Sequence, residues 1–68
     1  MDIQHLLYAR DEAKAKGFAL ATPVPHDDGF ECSLVKDDLA VFTAIRQTDN
    51  LAIQACIDHL QELPPAHG

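Results

Sequence analysis

Leu39-Ala40-Val41-Phe42-Thr43-Ala44-Ile45-Arg46 can be read in two ways, and the choice decides the fold. As a strand, it places Leu39, Val41, Thr43 and Ile45 on one face. As a helix, it groups Leu39, Phe42 and Ile45, with Asp37 or Asp38 as N-cap. Val, Ile, Phe and Thr favour the strand because branched and aromatic side chains suit a pleated, half-buried surface. The alanines at 40 and 44 favour the helix. A helix here would run into Gln47-Thr48-Asp49-Asn50 without a Gly or Pro to stop it, so the strand is the leading reading.

Upstream of this stretch, Phe30, Cys32 and Leu34 alternate with Glu31 and Ser33, the period of a half-buried strand. The turn before it is His26-Asp27-Asp28-Gly29, and Lys36-Asp37-Asp38 is the break after it. Phe18 to Val24 alternates as well, and Pro23 and Pro25 limit its pairing to an edge. The flanks are helical. Between Asp2 and Lys16, Ile3, Leu6, Leu7, Ala9 and Ala13 fall near helical spacing. Asp2 suits the N-terminus, and Gly17-Phe18 the Schellman stop. From Asp49 or Asn50 to Leu63, Ile53, Cys56, Ile57, Leu60 and Leu63 form an i, i+3, i+4, i+7 stripe, widened by Leu51, Ala52 and Ala55. Pro64-Pro65 ends it.

The predicted order is helix, three-stranded antiparallel meander, helix: a two-layer α+β domain over residues 1–63, with 64–68 a frayed tail. The alternative is helix, β-hairpin, two helices. At 68 residues the chain holds one core and no large enzyme architecture. Its longest apolar run, Leu39 to Phe42, is far below the roughly 20 residues a membrane helix needs. Six charges in the first 16 residues leave no room for an apolar export leader.

The net charge is −6, and residues 17–68 hold eight of the eleven acids against only Lys36 and Arg46. Such a surface repels nucleic acid and anionic lipid, and favours a protein partner that is itself basic. Two cysteines are too few for a secreted disulfide framework, which points to a reducing, cytoplasmic setting.

In element order, helix, three strands, helix, the chain resembles double-stranded-RNA-binding domains. Those domains present lysines at the start of the second helix, where this chain has Thr48, Asp49 and Asn50, so no binding residue carries over. The segment from Asp28-Gly29-Phe30 to Thr48 is also similar in order to HicB-type antitoxins, without their Pro-rich Gly-Cys segment.

Chemistry-bearing groupings are few. Cys56 and His59 neighbour each other on the last helix, and with Cys32 and His26 a tetrahedral metal site can be drawn. No C-x-x-C or paired-His spacing supports it, and small buried hydrophobes are the simpler role for both cysteines. A Cys56–His59 nucleophile lacks an oxyanion loop and an orienting third group. The acid pairs Asp27-Asp28 and Asp37-Asp38 fit turns, and no phosphate loop or nucleophile elbow is present. The expectation is therefore a non-enzymatic interaction or regulatory module with no cofactor or metal. Its contact surface would be acidic residues plus a sheet face left bare by the helices, carrying Ala19, Ala21, Glu31, Ser33, Ala40, Phe42 and Ala44. Phe42, Glu31, Asp37 and Asp38 are the candidate contact residues, and the same face could support a homodimer. Two alternatives stand beside it: an antitoxin-like or nucleic-acid-mimicking inhibitor of a basic nucleic-acid-handling protein, and a metal or thiol site at Cys32, Cys56 and His59.

Overall fold

The computed structural model describes residues 1–64. It contains helix α1 (Ile3–Ala15), strands β1 (Ala19–Leu20), β2 (Val24–His26), β3 (Gly29–Lys36) and β4 (Leu39–Arg46), and helix α2 (Asp49–Gln61). This is the expected α+β order, with the ambiguous octapeptide wholly a strand, but the sheet has four strands rather than three because the one expected over Phe18 to Val24 is split into β1 and β2. The rest of the expected tail, after Pro64, lies outside the described residues.

α1 begins where Asp2 accepts hydrogen bonds from the backbone N–H groups of Gln4 (3.0 Å) and His5 (3.4 Å). It ends in a Schellman motif: Phe18 N–H reaches Ala13 O at 2.8 Å, and Gly17 N–H reaches Lys14 O at 3.0 Å. Gly17 has φ 86°, a left-handed geometry that glycine adopts without a Cβ penalty. Thr48 caps α2 by accepting from Leu51 N–H at 3.1 Å. The two helices run parallel. Asp2 N–H donates to Asn50 Oδ1 at one end, and Lys16 Nζ to Leu63 O at the other. Between these ends His5 and Gln54 are hydrogen-bonded at 3.0 Å.

β3 is the central strand. β4 pairs with one side of it, and β1 and β2 share the other, forming a single edge interrupted at Ala21–Pro23. All pairings are antiparallel. Each edge carries one extra residue. Leu20 faces Leu34 while Val24 faces Glu31, a slip of one position. Leu34 faces Phe42 while Val35 faces Ala40, so Val41 is extra on β4. Because side chains alternate with period 2, each extra residue transfers the next side chains to the opposite face.

The tight connections follow from local chemistry. Asp37 and Asp38 form a two-residue loop with φ 53° and 65°, the geometry of a type I′ turn. Gly29 has φ 133° and lies so close to β4 that a Cβ there would collide with the Arg46 carbonyl. The Asp27-Asp28 hairpin therefore closes only on glycine at this position.

Both helices pack on one face of the sheet. Leu6, Ala9 and Ala13 of α1, Ala52, Ile53, Cys56, Ile57 and Leu60 of α2, and Leu20, Cys32, Leu34 and Ala44 of the sheet form one buried cluster. Three expected stripe members are outside it: Ile3, Leu7 and Leu51 are each at least half exposed. α1 meets the core through a narrow i, i+3, i+7 line whose alanines permit close approach to α2. The broader stripe read from the sequence had more apolar residues than this contact can cover.

Candidate functional site: the uncovered face of the sheet

With both helices on one side, the other side of the sheet is bare. Register places Ala19, Val24, Glu31, Ser33, Val35, Ala40, Thr43 and Ile45 on it, since directly paired residues share a face. Val24 is 50% exposed and Ile45 38%. Ser33 and Thr43 hydroxyls, opposite each other, are 3.0 Å apart and hydrogen-bonded.

Four residues expected on this face are there: Ala19, Glu31, Ser33 and Ala40. Ala21 lies in the gap between β1 and β2, and Phe42 and Ala44 are not on the face, which corrects the sequence reading. Ala44 is opposite Cys32 and buried, and Phe42 is opposite Leu34 on the covered side. The Phe42 ring stacks on His59 of α2, with centroids 4.0 Å apart and planes at 7°. The expected grouping of Leu39, Val41, Thr43 and Ile45 is also broken. Thr43 and Ile45 are on the bare face, Val41 is the extra residue, and Leu39 pairs with Lys36 beyond it. Alternation identified two sets of residues but not which set meets the helices. Thr43 and Ile45 were missed for that reason, Val24 because of the slip between Leu20 and Val24, and Val35 because the alternation was followed only to Leu34.

The electrostatics of the face are one-sided. Glu31 lies within it, Asp27 and Asp28 are at the turn beyond one end of β3, and Asp37 and Asp38 beyond the other. Lys36 alternates with Val35, and its ammonium sits 5.4 Å from the Phe18 ring centroid. Arg46 is paired with Phe30 and lies on the side of the helices, near enough to Cys56 to act on its thiol. Arg10, Lys14 and Lys16 belong to α1 and its C-cap. Among the described residues no Lys or Arg side chain belongs to the bare face, and His26, opposite Gly29, is at its end.

The thiol and metal alternatives have a different geometry. Cys32 and Cys56 are adjacent and wholly buried. Cys56 Sγ donates to Cys32 O (3.5 Å), and Cys32 Sγ to Ala21 O (3.4 Å). Its hydrogen-bonded neighbour Cys32, together with burial, pushes the Cys56 thiol well above its ordinary range. The neighbouring Cys56 side chain lowers Cys32. His59 is stacked on Phe42, and His26 is at the hairpin tip, where its Nδ1 accepts from Asp28 N–H at 3.0 Å. Among the described residues, no three His, Cys, Asp or Glu side chains are grouped to hold a metal ion. Nor is any helix among them long and apolar enough to cross a membrane.

No family model, curated protein or solved structure matches this chain. The functional reading therefore rests on its own residues. Where a double-stranded-RNA-binding domain would present lysines, Asn50 is instead bonded to Asp2 of the neighbouring helix.

Proposed function

We propose that this chain is a cytoplasmic, non-enzymatic protein-interaction module that uses the uncovered sheet face as its contact surface. The observation that carries this reading is the composition of that face: branched apolar side chains and hydroxyls, acids within and beyond its ends, and no Lys or Arg among the described residues. Apolar area gives such a contact its affinity, and the acids select its partner and speed the encounter. The complementary surface is a flat apolar patch bordered by Lys or Arg. Two free, buried thiols fit a reducing compartment. Burial of Cys56, and a His59 ring engaged by Phe42, speak against nucleophilic chemistry.

An inhibitor of a nucleic-acid-handling protein is the special case in which the partner's basic patch is itself a nucleic-acid site. The acid pairs at both ends of β3 favour it. Added polyanion would then displace the chain from its partner.

The test immobilises the protein in an extract of its own cells beside two variants, Ile45→Lys on the bare face and Leu7→Lys on the exposed side of α1. A partner held by wild type and Leu7→Lys, lost from Ile45→Lys and weakened by salt, is the expected result. Equal retention by Ile45→Lys would remove the bare face from the function.

A further inference from the structure

Three of the five Lys and Arg side chains gather at the β1 edge of the sheet, where Ala19 is the one residue shared with the face just described. Arg10 and Lys14, one turn apart on α1, line an open pocket of about 300 Å3 with Phe18, Ala19 and Leu20. Lys36 stands over the Phe18 ring at its side, 5.4 Å from the centroid. Arg10 Nη2 donates to Thr22 Oγ1 at 2.7 Å, which holds the guanidinium in place. Its remaining N–H groups stay free to bind something else.

The chain has eleven acids, yet among the described residues no Lys or Arg side chain forms an ion pair with any of them. Arg10 and Lys14 stand at i, i+4, where like charges repel, and among the described residues no acid pairs with them. The pocket thus combines an uncompensated cationic rim with an apolar floor. A bare inorganic anion would satisfy the rim and leave the floor wet. A neutral apolar molecule would do the reverse. Nucleic acid is disfavoured by the −6 charge around so small a cationic area.

We propose that this pocket binds a small amphipathic organic anion. Its carboxylate or sulfonate head lies between Arg10 and Lys14, and its aromatic or branched body lies against Phe18, Ala19 and Leu20. A pocket of this volume is at the small end of known ligand sites, which suits a compact, single-ring or two-ring molecule. The Arg10 fork can engage two oxygens of one head group, while Lys14 supplies a point charge.

The probe is 5-(dimethylamino)naphthalene-1-sulfonate, a fluorescent two-ring anion of this class, titrated into the folded protein. Saturable binding of one molecule per chain is expected, competed by 2-naphthoate and not by 2-naphthalenemethanol, which lacks the charge. Affinity should fall at least about tenfold in the Arg10→Gln, Lys14→Gln double variant, the loss typical of removing charge-assisted hydrogen bonds. Both positions are exposed, and glutamine keeps the helix propensity. Ile45→Lys should bind the dye as wild type does. Absence of saturable binding, equal affinity in the double variant, or loss confined to Ile45→Lys each overturns the proposal; the last would put the dye on the bare sheet face.

Discussion

Cys32 and Cys56 show what a residue's surroundings do to its chemistry. Each thiol is fully buried, donates to a backbone carbonyl and touches the other. A thiolate is the reactive form, and it needs solvent or a cation to form and a path for reagents to reach it. We therefore expect native protein to resist Ellman's reagent and to release two equivalents of thiol only when unfolded. Cys56→Ala should lower stability by about 1 kcal/mol, the scale of losing a small buried group. That corresponds to roughly 4–8 °C in the melting temperature of so small a domain. Fast labelling of folded protein would restore the reactive-thiol reading.

The elements are set by their ends as much as by their interiors. The β3–β4 hairpin turns on Asp37 and Asp38, both with positive φ, two like charges in a turn that prefers Asn-Gly. Asp tolerates this region better than most residues, but less well than Asn or Gly. Asp37→Asn with Asp38→Gly should stabilise the fold by about 0.5–1 kcal/mol, read as a higher denaturant midpoint at unchanged slope. A fall in the midpoint would show that the two carboxylates have a stabilising role that the turn geometry does not reveal. The same pair was a candidate contact site by sequence. The structure puts it beyond one end of the bare face, so the double variant also reports whether a partner reads that charge.

At the scale of the whole molecule, the question is which side of the sheet each variant disturbs. Phe42 bridges β4 and α2 by stacking on His59, so Phe42→Ser should cost about 2 kcal/mol of stability, from lost apolar burial and the ring pair. Ile45→Lys should leave the melt within roughly 0.5 kcal/mol of wild type, as surface changes do. The reverse pattern would mean that β4 presents its other side to the helices. A second copy is one occupant the bare face could accept, and the sign of the salt effect separates it from a basic partner. Two chains of net charge −6 repel, so self-association should strengthen with salt, whereas a basic partner is weakened by it.

Much of the architecture was legible along the chain because it depends on local chemistry. The cap at Asp2, the Gly17-Phe18 stop and the bounds of β4 at Leu39 and Arg46 all agree with the sequence reading. The candidate site was less legible. Glu31 and Ser33 were placed on the bare face correctly, but Phe42, its expected centre, is on the covered side. The cationic pocket left no trace in the charge count, since Lys36 is 22 positions from Lys14 and reaches Phe18 only through the fold.

The sequence by itself determined the two helices, the helix–sheet–helix order and the acidic balance, because periodicity, capping residues and charge act over a few positions. Only the tertiary structure decided which face of the sheet the helices cover. Alternation divides a strand into two sets of side chains that are equivalent until the strand is paired, and one extra residue exchanges them. Such residues occur on both edges here, between Leu20 and Val24 and at Val41. They are visible only against β3, because a register exists between strands and not within one.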